Sequence, residues 1–326
     1  MKILIIGAAG MVGQKLIQKL TLENENSDQI SNLILQDIVP VRKPDTSINT
    51  NVLISDISRE SDTAKLVEMK PDIIFHLASV VSGEAEQDFD KGWLMNTRAT
   101  WYLLEKIREA SIATGGIYTP KLIFTSSIAV FGPPFPETIG DDFLCAPQTS
   151  YGAQKAVNEM LINDYSRKGF VHGVSIRLPT ICVRPGKPNR AASSFFSNII
   201  REPLNGLEAV LPVSKDVRHW HASPRSAANF LVHCLALNPN ELGNRRSLNM
   251  PGVSCTVEEQ IEALRSVAGN KVVSLIRKEP DEMIIRIVDG WPRNFETTRS
   301  EALGFSAETD FTEIIKVYIS DDLVKP

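Results

Sequence analysis

Short runs of β-branched and aliphatic residues alternate along the chain with longer stretches whose apolar positions recur at helical spacing. Lys2-Ile3-Leu4-Ile5-Ile6 reads as a strand buried on both faces, and Leu16, Ile17 and Leu20 set a helix beginning near Met11. Leu33-Ile34-Leu35-Gln36-Asp37, Val52-Leu53-Ile54, Asp72-Ile73-Ile74-Phe75-His76, Lys121-Leu122-Ile123-Phe124 and Val174-Ser175-Ile176-Arg177 repeat the strand pattern. Between them lie helical stretches, 62–70, 93–113 and one after Ser150. Strand alternating with helix predicts an α/β fold built on a doubly wound parallel sheet. After Thr256 the pattern becomes helix (257–267), strand (271–276) and mixed elements, which reads as a smaller C-terminal α/β lobe. The expected division is a nucleotide-binding domain over 1–180, with 217–250 returning to it, and a substrate lobe from 181–216 and 251–326.

The first strand ends in glycines. Gly7 permits the turn, Gly10 close approach of a ligand to the backbone, and Gly13 close helix packing. Met11, Val12 and Gly13 then open the helix, whose free N–H groups and positive dipole end suit a pyrophosphate. Asp37 closes the second strand, where a carboxylate accepts hydrogen bonds from an adenosine ribose and repels the extra phosphate of NADP. The expected cofactor is therefore NAD in a Rossmann-type site. Ligands of such sheets lie at the carboxyl ends of the strands, which places Asp56 with Ile57, then Leu77, Ala78 and Ser79, and Ser127 along one crevice.

Tyr151 and Lys155 lie four apart in Tyr151-Gly152-Ala153-Gln154-Lys155, so on a helix they share a face and can reach one reacting atom. A phenol of pKa ~10 is a poor base at neutral pH; lowering it to near 7 takes roughly 4 kcal/mol. A unit charge about 4–5 Å away, at an effective dielectric of ~20, supplies close to that. Lys155 is the expected charge, and the oxidised nicotinamide a second.

These motifs resemble, in chain order, those of the extended short-chain dehydrogenases/reductases of the NAD-dependent epimerase/dehydratase type. The likeness rests on the glycine triplet, His76-Leu77-Ala78-Ser79, Asn96-Thr97-Arg98-Ala99-Thr100, the 125–132 stretch Thr125-Ser126-Ser127-Ile128-Ala129-Val130-Phe131-Gly132, and Tyr151-x-x-x-Lys155. The resemblance implies that Ser127, five positions before Gly132, hydrogen-bonds the reacting oxygen, with Ser126 as the alternative. It implies that Asn96 orders a proton-relay water and that Lys155 also holds the nicotinamide ribose. The family's sugar dehydratases carry an acid pair after the reactive hydroxyl; Ile128 and Ala129 cannot transfer a proton, so dehydration is not expected.

Arg177-Leu178-Pro179-Thr180-Ile181, Arg184-Pro185-Gly186-Lys187-Pro188-Asn189, Ser193-Ser194-Phe195-Phe196 and Arg218-His219-Trp220-His221 resemble the sugar-acid dehydrogenases of this family, which implies oxidation of the C2 hydroxyl of a four-carbon acid to the 2-oxo acid. Such a substrate needs a cation for its carboxylate. Arg218 is the first expectation, since nucleotide-sugar relatives have an arginine facing the diphosphate there; Arg184 and Lys187 are alternatives. Ser79 and Thr180 are expected to bind substrate hydroxyls. The rivals are a nucleotide-sugar epimerase, an L-threonine-type dehydrogenase and a non-catalytic NAD-binding sensor.

Composition adds limits. The chain has 326 residues, 43% of them hydrophobic, enough for a full core, and its net charge of -4 offers no footprint for nucleic acid or an anionic membrane. Residues 3–13 form the only signal-peptide-like stretch and are better read as strand and glycine turn. Cys145, Cys182, Cys234 and Cys255 show no metal-ligand spacing and read as reduced cytoplasmic thiols; His219 and His221 lack an evident third ligand, so no metal is expected. The helix over 93–113 and the one after Ser150 commonly pair subunits in the family, which implies a homodimer.

Overall fold

The computed structural model describes residues 1–22, 29–186 and 192–323. The first strands are β1 (Lys2–Ile6), β2 (Asn32–Asp37), β3 (Thr50–Ile54), β4 (Ile73–His76), β5 (Lys121–Ser127) and β6 (His172–Leu178). They are followed by β7 (Thr180–Ile181), β8 (Ala209–Leu211), β9 (Arg218–Ala222), β10 (Ser247–Asn249), β11 (Val253–Thr256) and β12 (Ile276–Lys278). Seven strands form one parallel sheet in the order β10-β6-β5-β4-β1-β2-β3. The order reverses beside β1, where an open α/β sheet leaves a crevice for a ligand.

Side-chain alternation along the strands builds two cores. Ile3, Ile5, Leu33, Leu35 and Phe75 face helices Met11–Leu22 and Pro224–His233, while Leu4, Ile6, Ile34, Ile74 and Phe124 face helices Glu60–Glu68 and Ala99–Ala113. Both faces are covered, so the runs are apolar throughout. A separate core joins Phe195, Phe196, Ile199, Val257, Ile261, Phe311 and Ile314 in the second lobe.

Two details depart from the sequence pattern. The expected strand at 271–276 is a helical turn, Asn270–Val273, followed by the short β12 on β8. Gly269, at φ +83°, ends helix Val257–Ala268, and Val272 and Val273 then pack on the second-lobe core as a turn. Within 217–250, helix Pro224–His233 and β10 attach to the large sheet, but β9 lies between β7 and β11 in a three-stranded sheet of its own. The chain returns to the first lobe once more near its end, where Phe305 packs on Phe230 and His233.

Candidate active site

The turn after β1 is shaped by contacts that exclude side chains. A Cβ on Gly7, at φ +86°, would lie 2.6 Å from Ala78 N, and one on Gly13 would lie 2.5 Å from Gly7 O. A Cβ on Gly10 would meet only Gly7 O, at 3.4 Å. Among the described residues no other atom crowds Gly10, which leaves it open on the side of the crevice. Asp37 is drawn against this turn: Oδ2 accepts from Ala9 N at 2.8 Å and Oδ1 from Ile38 N at 2.7 Å. Asp56 Oδ1 accepts from Ser58 N and Oγ, Ile57 is buried beneath it, and Leu77 N and Ala78 N both donate to Ile6 O. The strand ends thus bring Gly7, Gly10, Met11, Asp37, Asp56 and Ala78 to one edge of the sheet.

Helix Ser150–Arg167 enters beside this edge. Thr149 Oγ1 caps it by accepting from Gly152 N at 3.1 Å, and Gly152 packs so tightly on Ala129 that a Cβ would sit 2.2 Å from Ala129 O. That contact seats the first turn of the helix against the exit of β5. Tyr151 there meets the hydroxyls of Ser127 and Ser79, which favour its ionisation, as does the Arg184 guanidinium facing it. Burial outweighs all three and holds the phenol above its ordinary pKa.

Lys155 lies buried beside the phenol. Its Nζ donates to Thr125 O at 2.8 Å and stands 4.7 Å over the Phe124 ring and 5.4 Å from the Tyr151 ring centre. Burial pushes its pKa down to about 7, against the pull of the Glu159 carboxylate. The cation that lowers the phenol pKa in this form is Arg184.

Asn96 is engaged on every side. It sits in a π-helical turn, Trp93–Arg98, that continues into helix Ala99–Ala113. Its Oδ1 accepts from Ser79 Oγ and Val80 N, and its Nδ2 donates to Gln154 Oε1 and Val80 O. Its carbonyl accepts from Thr100 Oγ1 and Asn158 Nδ2. No group is left over to order a relay water; the side chain ties Ser79 to the helix that carries Tyr151.

The choice between the two serines follows from a buried ion pair. Ser126 Oγ donates to Glu159 at 2.5 Å, and Glu159 receives Arg177 through Nε and Nη2, the latter at 2.7 Å. Arg177 Nη1 goes on to Asn249 Oδ1 on β10. Ser126 is therefore committed below the sheet edge, and Ser127 faces the phenol. Both charged side chains are nearly covered, so Arg177→Met, which strands the carboxylate, is expected to destabilise the protein by about 3–5 kcal/mol in urea unfolding. Replacing Arg177 and Glu159 together by methionine should recover most of that loss.

The candidate cations differ in their surroundings. Arg218, the first expectation, donates to Ser254 O and pairs with Glu259 at 3.1 Å at the surface, held by the first turn of helix Val257–Ala268. Arg184 is half-buried instead: Nε donates to Ile181 O and Nη2 to Ser193 Oγ, each at 2.9 Å. Among the described residues its Nη1 has no acceptor, and its charge is felt by Tyr151, His219 and His221. Lys187 lies outside the described residues. Thr180 hydrogen-bonds His219 Nε2 at 2.7 Å. His219 and His221 stand edge to face, 5.3 Å between ring centres, and no group of three potential ligands that could hold a metal occurs among the described residues.

Sequence reading overlooked Glu159, although its spacing from Lys155 repeats that of Tyr151 and Lys155, and it overlooked Gln154 and Asn158, which lie on the inward face of the same helix. Comparison with known proteins agrees with the geometry. The sequence profile of the NAD dependent epimerase/dehydratase family matches residues 3–225. The chain belongs to this family. D-erythronate dehydrogenase of Haemophilus influenzae is 42% identical over 325 residues, spanning 99% of this chain and 100% of that protein. The enzyme of the same name from Cupriavidus necator is 43% identical, with 98% of each chain covered. Among solved members of this epimerase/dehydratase fold, the nucleoside-diphosphate-sugar epimerase from Agrobacterium tumefaciens superposes with a TM-score of 0.95 at 55% identity, covering 98% of this chain and 94% of that one. L-threonine dehydrogenase from Clostridium difficile shares the fold, with a TM-score of 0.83 at 24% identity over 98% of this chain and 96% of that one.

Proposed function

We propose that this protein oxidises the C2 hydroxyl of a small sugar acid, D-erythronate first among them, to the 2-oxo acid, with NAD as the oxidant. The observation that carries this reading is the convergence of Tyr151, Ser127, Ser79 and the half-buried Arg184 at the sheet edge. A substrate carboxylate placed on Arg184 Nη1 brings the adjacent C2 hydroxyl to the phenol. Tyr151 takes the hydroxyl proton, Ser127 steadies the oxygen as it becomes a carbonyl, and Ser79 with Thr180 reads the remaining hydroxyls. Asn96 positions Ser79. Bound NAD supplies the acceptor for the hydride leaving C2. Its pyrophosphate fits the N–H groups of Met11, Val12 and Gly13, its adenosine ribose Asp37, its nicotinamide ribose Tyr151 and Lys155, and Asp56, Ile57, Leu77 and Ala78 line its path.

Asp37 gives this assignment a separate check. Its carboxylate repels a 2′-phosphate, so wild type should favour NAD over NADP by at least about 100-fold in kcat/KM, and Asp37→Ser should narrow that ratio about 10-fold or more, read as reduced-nicotinamide absorbance.

An epimerase uses the same phenol but returns the hydride, and the Agrobacterium relative carries that name. What favours the dehydrogenase here is Arg218, which sits where an arginine would face a sugar diphosphate yet is held by Glu259. The test is to incubate the protein and NAD with D-erythronate, with L-threonine and with nucleotide sugars. One NADH for each D-erythronate consumed is expected, and interconversion of a nucleotide sugar with no net NADH would contradict the reading.

We place the protein in the cytoplasm as a homodimer. Its four cysteines are free thiols, and no helix among the described residues is long and apolar enough to cross a membrane. Trp101 and Met160 are 44% and 68% exposed on the two helices expected to pair, as apolar residues of a subunit contact would be in an isolated chain.

A further inference from the structure

His219 has no part in the chemistry described so far, yet its surroundings fix which way a proton points inside the site. It is buried, its ring stacked on Phe196 at 5.3 Å with 5° between planes and flanked by Trp291 at 5.2 Å. Its Nδ1 lies 2.8 Å from Pro292 O. A carbonyl only accepts, so Nδ1 carries the hydrogen. Burial first, and the nearby Arg184 charge, hold the ring neutral by lowering its pKa to about 4 although the Pro292 bond opposes them. Nε2 is therefore a bare lone pair, and its neighbour at 2.7 Å is Thr180 Oγ1. The threonine has one hydroxyl hydrogen and must spend it there.

We propose that His219 is a specificity-determining positioning residue: by taking the Thr180 hydroxyl hydrogen it leaves Thr180 Oγ1 as an acceptor-only group that recognises a substrate hydroxyl beside the reacting carbon. The position follows from the chain path. β6 ends at Leu178, paired with Ser127, and Thr180 comes two residues later, while Arg184 reaches both Tyr151 and His219. A substrate with its carboxylate on Arg184 and C2 at Tyr151 turns its C3 substituent toward Thr180. A hydroxyl there can donate to the threonine oxygen, whereas a carbonyl, ether or second carboxylate oxygen cannot. The selection is for a 2,3-dihydroxy acid over its 3-deoxy or 3-O-alkyl analogue. This inference rests on the sugar-acid reading above.

Two measurements test it together. In ligand-free protein, the histidine 15N spectrum, with His219 assigned by its loss in His219→Asn, is expected to show a neutral ring protonated on Nδ1. In kinetics, wild type should prefer D-erythronate over its 3-deoxy analogue by about 10- to 100-fold in kcat/KM. Thr180→Val and His219→Asn should each cut that preference to about 3-fold or less, by raising KM for D-erythronate with little change in kcat. Thr180→Ser and His219→Gln, whose amide oxygen can stand where Nε2 stood, should restore it. A proton found on Nε2, or a full preference surviving in His219→Asn, overturns the proposal; should that variant not fold, Thr180→Val decides by the same ratio. Failure of wild type to oxidise any sugar acid overturns the functional reading instead, a result the 15N spectrum does not depend on.

Discussion

Tyr151→Phe is expected to weaken NAD binding by no more than about 10-fold, the loss of one ribose hydrogen bond, and to lose about 10³-fold or more in kcat for D-erythronate oxidation. The phenylalanine keeps the ring and its packing and removes only the oxygen that Ser127, Ser79 and Arg184 surround. Cofactor titration by fluorescence and turnover by NADH formation separate the two quantities. An unchanged kcat would remove the phenol from the mechanism. The size of the loss follows from the chemistry: the C2 hydroxyl cannot become a carbonyl until its proton has left. His219 and His221 lie nearby, but burial keeps both from holding a proton near neutrality; the His219 nitrogens face Thr180 and Pro292, and His221 Nε2 faces Gln260.

The second large effect is expected at Arg184. Arg184→Lys preserves the charge but not the planar fork, and its shorter reach cannot satisfy Ile181 O and Ser193 Oγ while also holding a carboxylate. A fall of about 10²- to 10³-fold in kcat/KM is predicted, expressed mainly in KM, as for truncation of one partner of a buried charge pair. Arg218→Lys should change neither constant beyond about 2-fold, because its partner is Glu259 at the surface. The reverse pattern, a silent Arg184 and a sensitive Arg218, would return the carboxylate to the position the motif alone suggested.

That contrast marks where the chain was legible and where it was not. The six runs before residue 180 read as strands all lie in the parallel sheet, most of them because residues buried on both faces leave an unbroken apolar signature, whereas the seventh, 271–276, does not. Gly7 and Gly13 were readable because close backbone packing tolerates no side chain there. Arg184 and Arg218 could not be ranked from sequence: both sit in loop-rich polar segments, and what distinguishes them is a partner far along the chain, Glu259 for one and the buried site for the other. The surroundings of Lys155 were hidden for a related reason. Its spacing from Tyr151 places both on one face, but the burial that discourages its charge comes from the folded surroundings, while the Phe124 ring and Thr125 O on a neighbouring strand hold its ammonium in place. Asn96 had its place in a motif, yet the six hydrogen bonds that occupy it join residues 79, 80, 100, 154 and 158, and only the folded arrangement reveals them.

The central claim is that hydride leaves C2 of a sugar acid whose hydroxyl proton passes to Tyr151. It is tested most directly with D-erythronate deuterated at C2, followed by mass analysis of cofactor and product. The label is predicted to appear in NADH, one deuteron for each 2-oxo acid formed. Deuterium retained in the organic product, with unlabelled NADH or none, would contradict the account.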